Sequence, residues 1–200
     1  MELTEELLIA TGNAHKLGEI RVLLDGLPFN VKGLPDFQPI EPAVEDGVTF
    51  EENARKKARH YAAGLGVRCV ADDSGLAVDA LDGKPGVWSA RYAGEDASDR
   101  DNNAKLLCAL EGVPGNGRTA RFVCCAVLCG VDGACHIETG VVEGRIAFEV
   151  AGVHRFGYDP LFIPNGYDRT FAELGAQVKQ QISHRARAFT ALRAYLESRL

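Results

Sequence analysis

The stretch that most constrains this chain is an apolar run, Val67 to Ala71, that delivers two adjacent carboxylates, Asp72 and Asp73, and then Ser74-Gly75. Neighbouring like charges repel and are costly to desolvate, so a buried pair needs a cation or hydrogen-bond donors. A hard divalent ion such as Mg2+ meets that need, because it takes oxygen ligands and keeps several waters. Asp, Ser and Gly are also ordinary turn residues, and a surface turn after a strand is the other reading. This stretch alone leaves both open.

The rest of the chain narrows the classes of fold and partner. Two hundred residues suffice for one sizeable domain, or for two lobes around a cleft, with ample core. A formal net charge of -6 argues against a general affinity for nucleic acid polymers or anionic membranes. An anionic ligand would therefore need locally concentrated basic groups or a metal. The six cysteines lack metal-ligand spacing; Cys124, Cys125, Cys129 and Cys135 lie in or beside apolar runs and read as small buried residues of a reducing compartment. With neither a signal-like N-terminus nor a run of transmembrane length, the expected location is cytoplasmic.

Along the chain, strand and helix signals alternate. Leu7 to Thr11 reads as a strand, Gly12-Asn13 as a turn, and His15 to Leu24 as a helix with Leu17, Ile20 and Leu24 at helical spacing. Such a turn points backbone N–H groups at whatever sits there, which suits phosphate. Lys16 in the first helical turn opposes the helix dipole, so an anionic ligand explains it better than helix stability does; a plain surface lysine is the alternative. Gly33 to Gly47 reads as a loop. Thr49 and Glu52 form a capping box for a helix with Phe50, Ala54, Ala58, Tyr61 and Leu65 on one face and Arg55, Lys56, Lys57 and Arg59 solvated; Asn53 is open.

Leu76 to Leu81 reads as a further strand, Gly83 to Gly86 as a turn, and Ser98 as the cap of a helix from about Asp99 to Leu110. Thr119 to Val131 and Ala134 to Val142 are strand runs joined at Asp132-Gly133, a hairpin signal. A polar loop from Gly152 to Asp159 leads to a short strand near Leu161 to Ile163, and Ser183 caps a last helix with Phe189, Leu192 and Leu196 inward. The alternation predicts an α/β fold with a mixed twisted sheet and flanking helices.

Phosphate chemistry at a metal needs carboxylates, phosphate donors, a water activator and a pocket for the rest of the substrate. Candidate carboxylates are Asp73, Asp72 and Glu45, candidate donors the turn from Thr11 to Lys16 with Lys179, and candidate pocket residues Phe156 to Asp159 and Ser183 to Arg185. In this order they match a known pattern. Thr11-Gly12-Asn13-x-x-Lys16, Glu45-Asp46-Gly47-x-Thr49-Phe50-x-Glu52-Asn53-Ala54, Ala71 to Leu76, Pro85-Gly86-Val87-x-Ser89-Ala90-Arg91-Tyr92, Phe156 to Pro160 and Ser183-His184-Arg185 resemble the inosine triphosphate pyrophosphatase family, also called XTP/dITP diphosphatases, and most resemble its bacterial members. The Asp-Asp-Ser-Gly and Ser-Ala-Arg-Tyr pair at this spacing is the specific part.

The resemblance implies an elongated α/β structure, one pyrophosphatase domain of two lobes around a central substrate cleft with no separable linker, generally homodimeric. It implies a small-molecule substrate, a deaminated purine nucleoside triphosphate (ITP, dITP, XTP), hydrolysed to the monophosphate and pyrophosphate with Mg2+. By the same resemblance Asp73 is the catalytic carboxylate and a metal ligand, and Glu45, preferred over Glu41, the second ligand. Thr11, Gly12, Asn13, Ala14, His15 and Lys16 hold the triphosphate. Ser74, Phe156, Gly157, Tyr158, Asp159, Lys179, His184 and Arg185 contact substrate. Rival readings are a pyrophosphatase for other modified nucleotides and a nucleotide-binding sensor without turnover.

Selectivity has a physical basis: hypoxanthine and xanthine carry a 6-oxo acceptor where adenine carries a donor, so donors such as Arg185 would leave adenine donor against donor. Departures from the pattern are small. Ala186 replaces a glycine found in several members, and His154-Arg155 replaces small residues before Phe156 and reads as exposed loop.

Overall fold

The computed structural model describes residues 5–153 and 156–200, and among these it has six strands and five α-helices; the strand at Phe29–Gly33 was not anticipated. His154 and Arg155 lie outside the described residues. In order these are β1 (Glu5–Ile9), α1 (Ala14–Leu23), β2 (Phe29–Gly33), α2 (Phe50–Leu65), β3 (Arg68–Val78), α3 (Asp99–Ala109), β4 (Thr119–Cys129), β5 (Cys135–Ile146), β6 (Phe162–Pro164), α4 (Phe171–Ile182) and α5 (His184–Glu197). The strands form one sheet in the order β2-β1-β3-β4-β5-β6. It is mixed: β1 runs parallel to β2 and to β3, while β5 and β6 are antiparallel.

The chain gathers into two compact units, Met1–Asp73 with Cys124–Gly140 and Arg185–Leu200, and Ser74–Val123 with Val141–His184. In the first, alternate residues of the central strands feed separate cores, as a sheet covered on both faces requires. Leu7 and Ile9 of β1, Val70 of β3 and Cys124, Ala126 and Leu128 of β4 pack with Ile20 of α1 and with Phe189, Leu192 and Leu196 of α5. Leu8 and Ala10, Cys69 and Ala71, and Cys125 and Val127 pack instead on Ala54, Ala58, Tyr61 and Ala62 of α2. Full burial of each large aliphatic side chain contributes about 1.5–3 kcal/mol. The second unit is built on Leu76, Val78, Leu106, Leu110, Phe122, Leu161, Phe162 and Phe171.

Helix boundaries follow their caps. Asn13 Oδ1 accepts from the His15 and Lys16 N–H groups to start α1, and Ser98 forms a capping box with Asp101 to start α3. At α2 the Thr49 hydroxyl caps the Glu52 N–H as expected, but the Glu52 carboxylate accepts from the Val48 N–H, one residue before the position a capping box uses.

Three expectations need correction. First, Ser74-Gly75 is no break: β3 is one strand of 11 residues, where two strands were expected. Gly75 serves close approach rather than turning, since a Cβ there would run into the Ser89 hydroxyl and lie 2.6 Å from the Gly86 carbonyl oxygen. Second, α4 was not anticipated, because Gly175 (φ 84°) interrupts it and leaves two pieces too short to show helical periodicity. Third, Cys129 and Cys135 are not free thiols but a disulfide that flanks the β4–β5 turn, where their Cα atoms stand 4.2 Å apart. Their apolar neighbours suggested simple burial, whereas the hairpin brings them face to face. Cys69, Cys124 and Cys125 are buried thiols as expected, and Cys108 is exposed.

The Ser89 hydroxyl that Gly75 admits accepts from the Leu76 N–H at 2.9 Å and donates to the Gly86 carbonyl at 2.6 Å. Gly75→Ala must push this clasp apart and is expected to cost about 1–3 kcal/mol, lowering Tm by several degrees in a calorimetric scan. A variant that melts with the wild type would show that the clasp is soft.

Candidate active site

The strand period of two settles where the two carboxylates go. Asp72 follows Val70 onto the face covered by α1 and α5, and Asp73 follows Ala71 toward α2. Asp72 is 1% exposed, which removes the surface-turn reading. Its Oδ2 lies 3.1 Å from Lys16 Nζ and 3.4 Å from Arg185 Nη2. Arg185, also buried, reaches the Glu19 carboxylate with Nη1 at 2.5 Å. Asp72 and Glu19 thus meet Lys16 and Arg185 in one cluster centred on the two buried members, Asp72 and Arg185. Burial alone would raise the Asp72 pKa, but Lys16, Arg185 and Lys57 together hold it well below the usual carboxylate range. The Cys124 thiol, 3.9 Å from the same oxygen, is pushed upward by burial and by that charge, and so stays protonated.

Lys16 at the start of α1 thus has an anionic partner in Asp72. In the turn before it, the N–H groups of His15 and Lys16 go to the Asn13 side chain, and the Asn13 N–H goes to the Thr11 hydroxyl at 3.2 Å. Thr11 is buried, Gly12 to His15 are exposed, and Lys16 is half-buried.

On the α2 face, Asp73 Oδ2 accepts from Asn53 Nδ2 at 3.1 Å. The Asn53 carbonyl accepts from the Gly47 N–H at 2.7 Å, so one side chain ties the loop after Glu45 to the Asp73 carboxylate. Lys57, one helical turn on, places Nζ 2.6 Å from Glu45 and 3.1 Å from the Asp72 carbonyl oxygen. Burial would lower its pKa, but Asp72, Glu45 and Asp73 outweigh that and raise it. Asp73 is the opposite case: burial pushes it above the usual carboxylate range and the Asp72 charge adds to this, against the pull of Lys16, Lys57 and the Asn53 hydrogen bond. Glu41 uses only its carbonyl here, 2.6 Å from His60 Nε2.

Lys57 corrects the expectation of a solvated basic face, because its side chain is only 12% exposed. It and Asn53 stand four residues apart on one helix face beside the Ala54-Ala58 stripe, and that spacing was the signal that could have found them. Glu19 gave no comparable signal.

The second unit holds the other predicted contacts. Lys179, buried in α4, lies 2.5 Å from Asp159 Oδ2, and its ammonium sits 4.8 Å from the centroid of the Phe156 ring. Tyr158 is buried and donates its hydroxyl to the Ser89 carbonyl at 2.9 Å. Gly157 has φ 56°. Ser74 is half-buried on β3, and His184 stacks on Phe122 with ring centroids 4.7 Å apart. The sequence pair His184-Arg185 therefore divides, His184 with the second unit and Arg185 with the first. Trp88 is 54% exposed, and the Arg91 guanidinium lies 4.5 Å from its ring centroid.

Removing one partner of a buried ion pair leaves the others charged and unpaired, at about 3–5 kcal/mol. Asp72→Asn is expected to lose that much in urea unfolding at neutral pH. Because the folded-state pKa of Asp72 is depressed, its contribution is present above the unfolded value of about 3.9 and is lost as pH falls toward the folded value. The variant should accordingly lose less stability than the wild type between neutral and acid pH. Parallel acid profiles for the two proteins would overturn this account.

Comparison with known proteins gives consistent results along almost the whole chain. The family model described as Ham1 family matches residues 7–195. A dITP/XTP pyrophosphatase of Geobacter sulfurreducens is 51% identical over 190 residues, covering 95% of this chain and 96% of the relative. The Ham1 protein of Staphylococcus aureus has a solved structure that matches with a TM-score of 0.89 at 41% identity, covering 98% of this chain and 100% of that one. A HAM1 protein from Coxiella burnetii matches with a TM-score of 0.89 at 41% identity, covering 97% and 99%. The chain belongs to the Ham1 family.

Proposed function

We propose that this protein hydrolyses deaminated purine nucleoside triphosphates, ITP, dITP and XTP, to the nucleoside monophosphate and pyrophosphate, and so clears them from the nucleotide pool of the cytoplasm as a homodimer. The observation that carries the reading is the Asp73 carboxylate, raised by burial and held by Asn53, beside the Lys57–Glu45 pair. The name dITP/XTP pyrophosphatase on a relative 51% identical over 190 residues supports the choice of substrate.

Magnesium fits this donor set. Among the described residues no three or more His, Cys, Asp and Glu side chains gather into a group that could hold a metal ion. Mg2+, however, is commonly held by one or two carboxylates, with water and substrate phosphate completing its shell. Asp73 and Glu45 are the residues that would hold it; Glu45 is drawn in by Lys57, whereas Glu41 engages His60 through its backbone. When bound, the ion would neutralise phosphate charge and polarise the anhydride.

The chain's own groups supply the remaining steps. Asp73 orients a water and takes its proton as the water oxygen attacks the α-phosphorus, the α–β anhydride bond breaks and pyrophosphate leaves; a carboxylate made more basic by burial suits that role. Asn53 keeps one Asp73 oxygen engaged and so fixes the plane of the carboxylate. Lys16 and Lys57 bring positive charge to the phosphates, with the turn from Thr11 to His15. In the second unit, Phe156 to Asp159 with Lys179 and His184 take the nucleoside end, and Ser74 and Arg185 give further substrate contacts. No helix among the described residues is long and apolar enough to cross a membrane.

The test is pyrophosphate release from ITP and from ATP in parallel, with Mg2+ and then with EDTA. Metal-dependent release from ITP with ATP nearly inert is expected. Equal rates, or a preference for dUTP or 5-methyl-UTP, would overturn the substrate assignment, and binding of ITP without release would make the protein a sensor. Asp73→Asn removes charge and basicity but keeps shape, and kcat should fall about 10²–10⁴-fold with the fold intact. A variant with a near-normal rate would remove Asp73 from the chemistry.

A further inference from the structure

Helix α3 carries two successive buried asparagines, Asn102 and Asn103, where its neighbours Leu106 and Leu110 set an apolar face. A buried carboxamide is costly unless its hydrogen bonds are made, so the partners of this pair matter. Neither asparagine serves only its own helix. Asn102 accepts from the Ala93 N–H at 2.8 Å and donates to the Ala90 carbonyl at 3.0 Å, holding the loop after Ser89. Asn103 Nδ2 donates both to the Asp99 carbonyl at 2.6 Å and to the Gly157 carbonyl at 2.7 Å. The Asp99 carboxylate completes the grip by accepting from the Gly157 N–H at 2.7 Å. The first two turns of α3 thus hold both backbone polar groups of Gly157, in the loop that carries Phe156, Tyr158 and Asp159.

We propose that Asp99 and Asn103 are positioning residues for substrate recognition, fixing the loop from Phe156 to Asp159 in the conformation that binds the purine. The inference rests on the reading of that loop as part of the nucleoside site. Gly157 has φ 56°, and among the described residues a Cβ at this position would meet nothing within 4 Å. The hydrogen bonds from α3 hold Gly157, together with the turn bond from the Asp159 N–H to the Phe156 carbonyl at 3.1 Å. On either side of Gly157 the loop is tied by side chains, Tyr158 to the Ser89 carbonyl and Asp159 to Lys179, with Phe156 against the same ammonium. Releasing the central residue lets all three side chains drift, and small misplacement of binding groups is costly. The effect should fall on binding and base preference rather than on the chemical step.

The test compares ITP and ATP kinetics of the full chain for the wild type, Asp99→Ala, Asp99→Asn and Asn103→Asp. Asp99 is exposed, so its variants should fold. Asp99→Ala removes the acceptor for the Gly157 N–H, and Asn103→Asp turns the donor aimed at the Gly157 carbonyl into an acceptor. Both should raise KM for ITP about tenfold with kcat within about twofold, and both should narrow the preference for ITP over ATP. Asp99→Asn keeps an acceptor and should restore KM to within about twofold of wild type. Loss of kcat with KM unchanged, or unaltered kinetics in folded Asp99→Ala and Asn103→Asp proteins, would overturn the positioning role while the proposed reaction stands. A wild type that does not hydrolyse ITP would overturn the proposed reaction, and this role with it.

Discussion

Successive residues of a β-strand face opposite ways, and in β3 that rule separates Asp72 from Asp73. The two carboxylates are one residue apart in sequence but live in different electrostatic settings. Asp72 meets Lys16 and Arg185 and is held ionised, while Asp73 meets an amide and is raised by burial. Two acids whose surroundings push their pKa values apart can take different tasks. Asp72 is committed to holding cations in place, and Asp73 keeps a basicity that a general base can use.

The Asp72 cluster is not a simple source of stability. Taking four charged groups out of water costs more than most packing arrangements return, and apolar replacements of buried ion networks are often neutral or stabilising. What the cluster provides is geometry. It holds Lys16 from α1 and Arg185 from α5, and Glu19 fixes the far side of the guanidinium. A lysine in the first turn of a helix works against the helix dipole, so α1 itself gives no reason for Lys16 to be there. The buried carboxylate does, and it leaves further Nζ protons for an anion.

Much of the fold was legible because local signals agreed. Asn13, Thr49 and Ser98 start helices where their side chains can cap, and Asp132-Gly133 falls in the turn that joins β4 and β5. What escaped depends on contacts far apart in sequence. Gly75 looks like punctuation until Ser89 is seen against it, and Cys129 and Cys135 look like buried thiols until the hairpin pairs them. In the candidate site, the motif residues could be named from sequence, but their partners could not. Lys57 reads as one of several basic residues on α2, and only its place beside Glu45 and the Asp72 backbone separates it from Lys56, which pairs with exposed Asp46.

The same distinction bears on how base preference can change in such a chain. If the loop from Phe156 to Asp159 were held by its own packing, substitutions that alter recognition would be confined to the loop. Instead, Gly157 is held by hydrogen bonds from Asp99 and Asn103, more than 50 residues earlier in sequence, as well as by the loop's own turn bond. A glycine in open space has many backbone states available, so its partners select among them rather than merely strengthening one. On the proposed reading of that loop as the nucleoside site, recognition is then a property of α3 as much as of the loop, and a change at Asp99 would alter it without touching any residue of the loop.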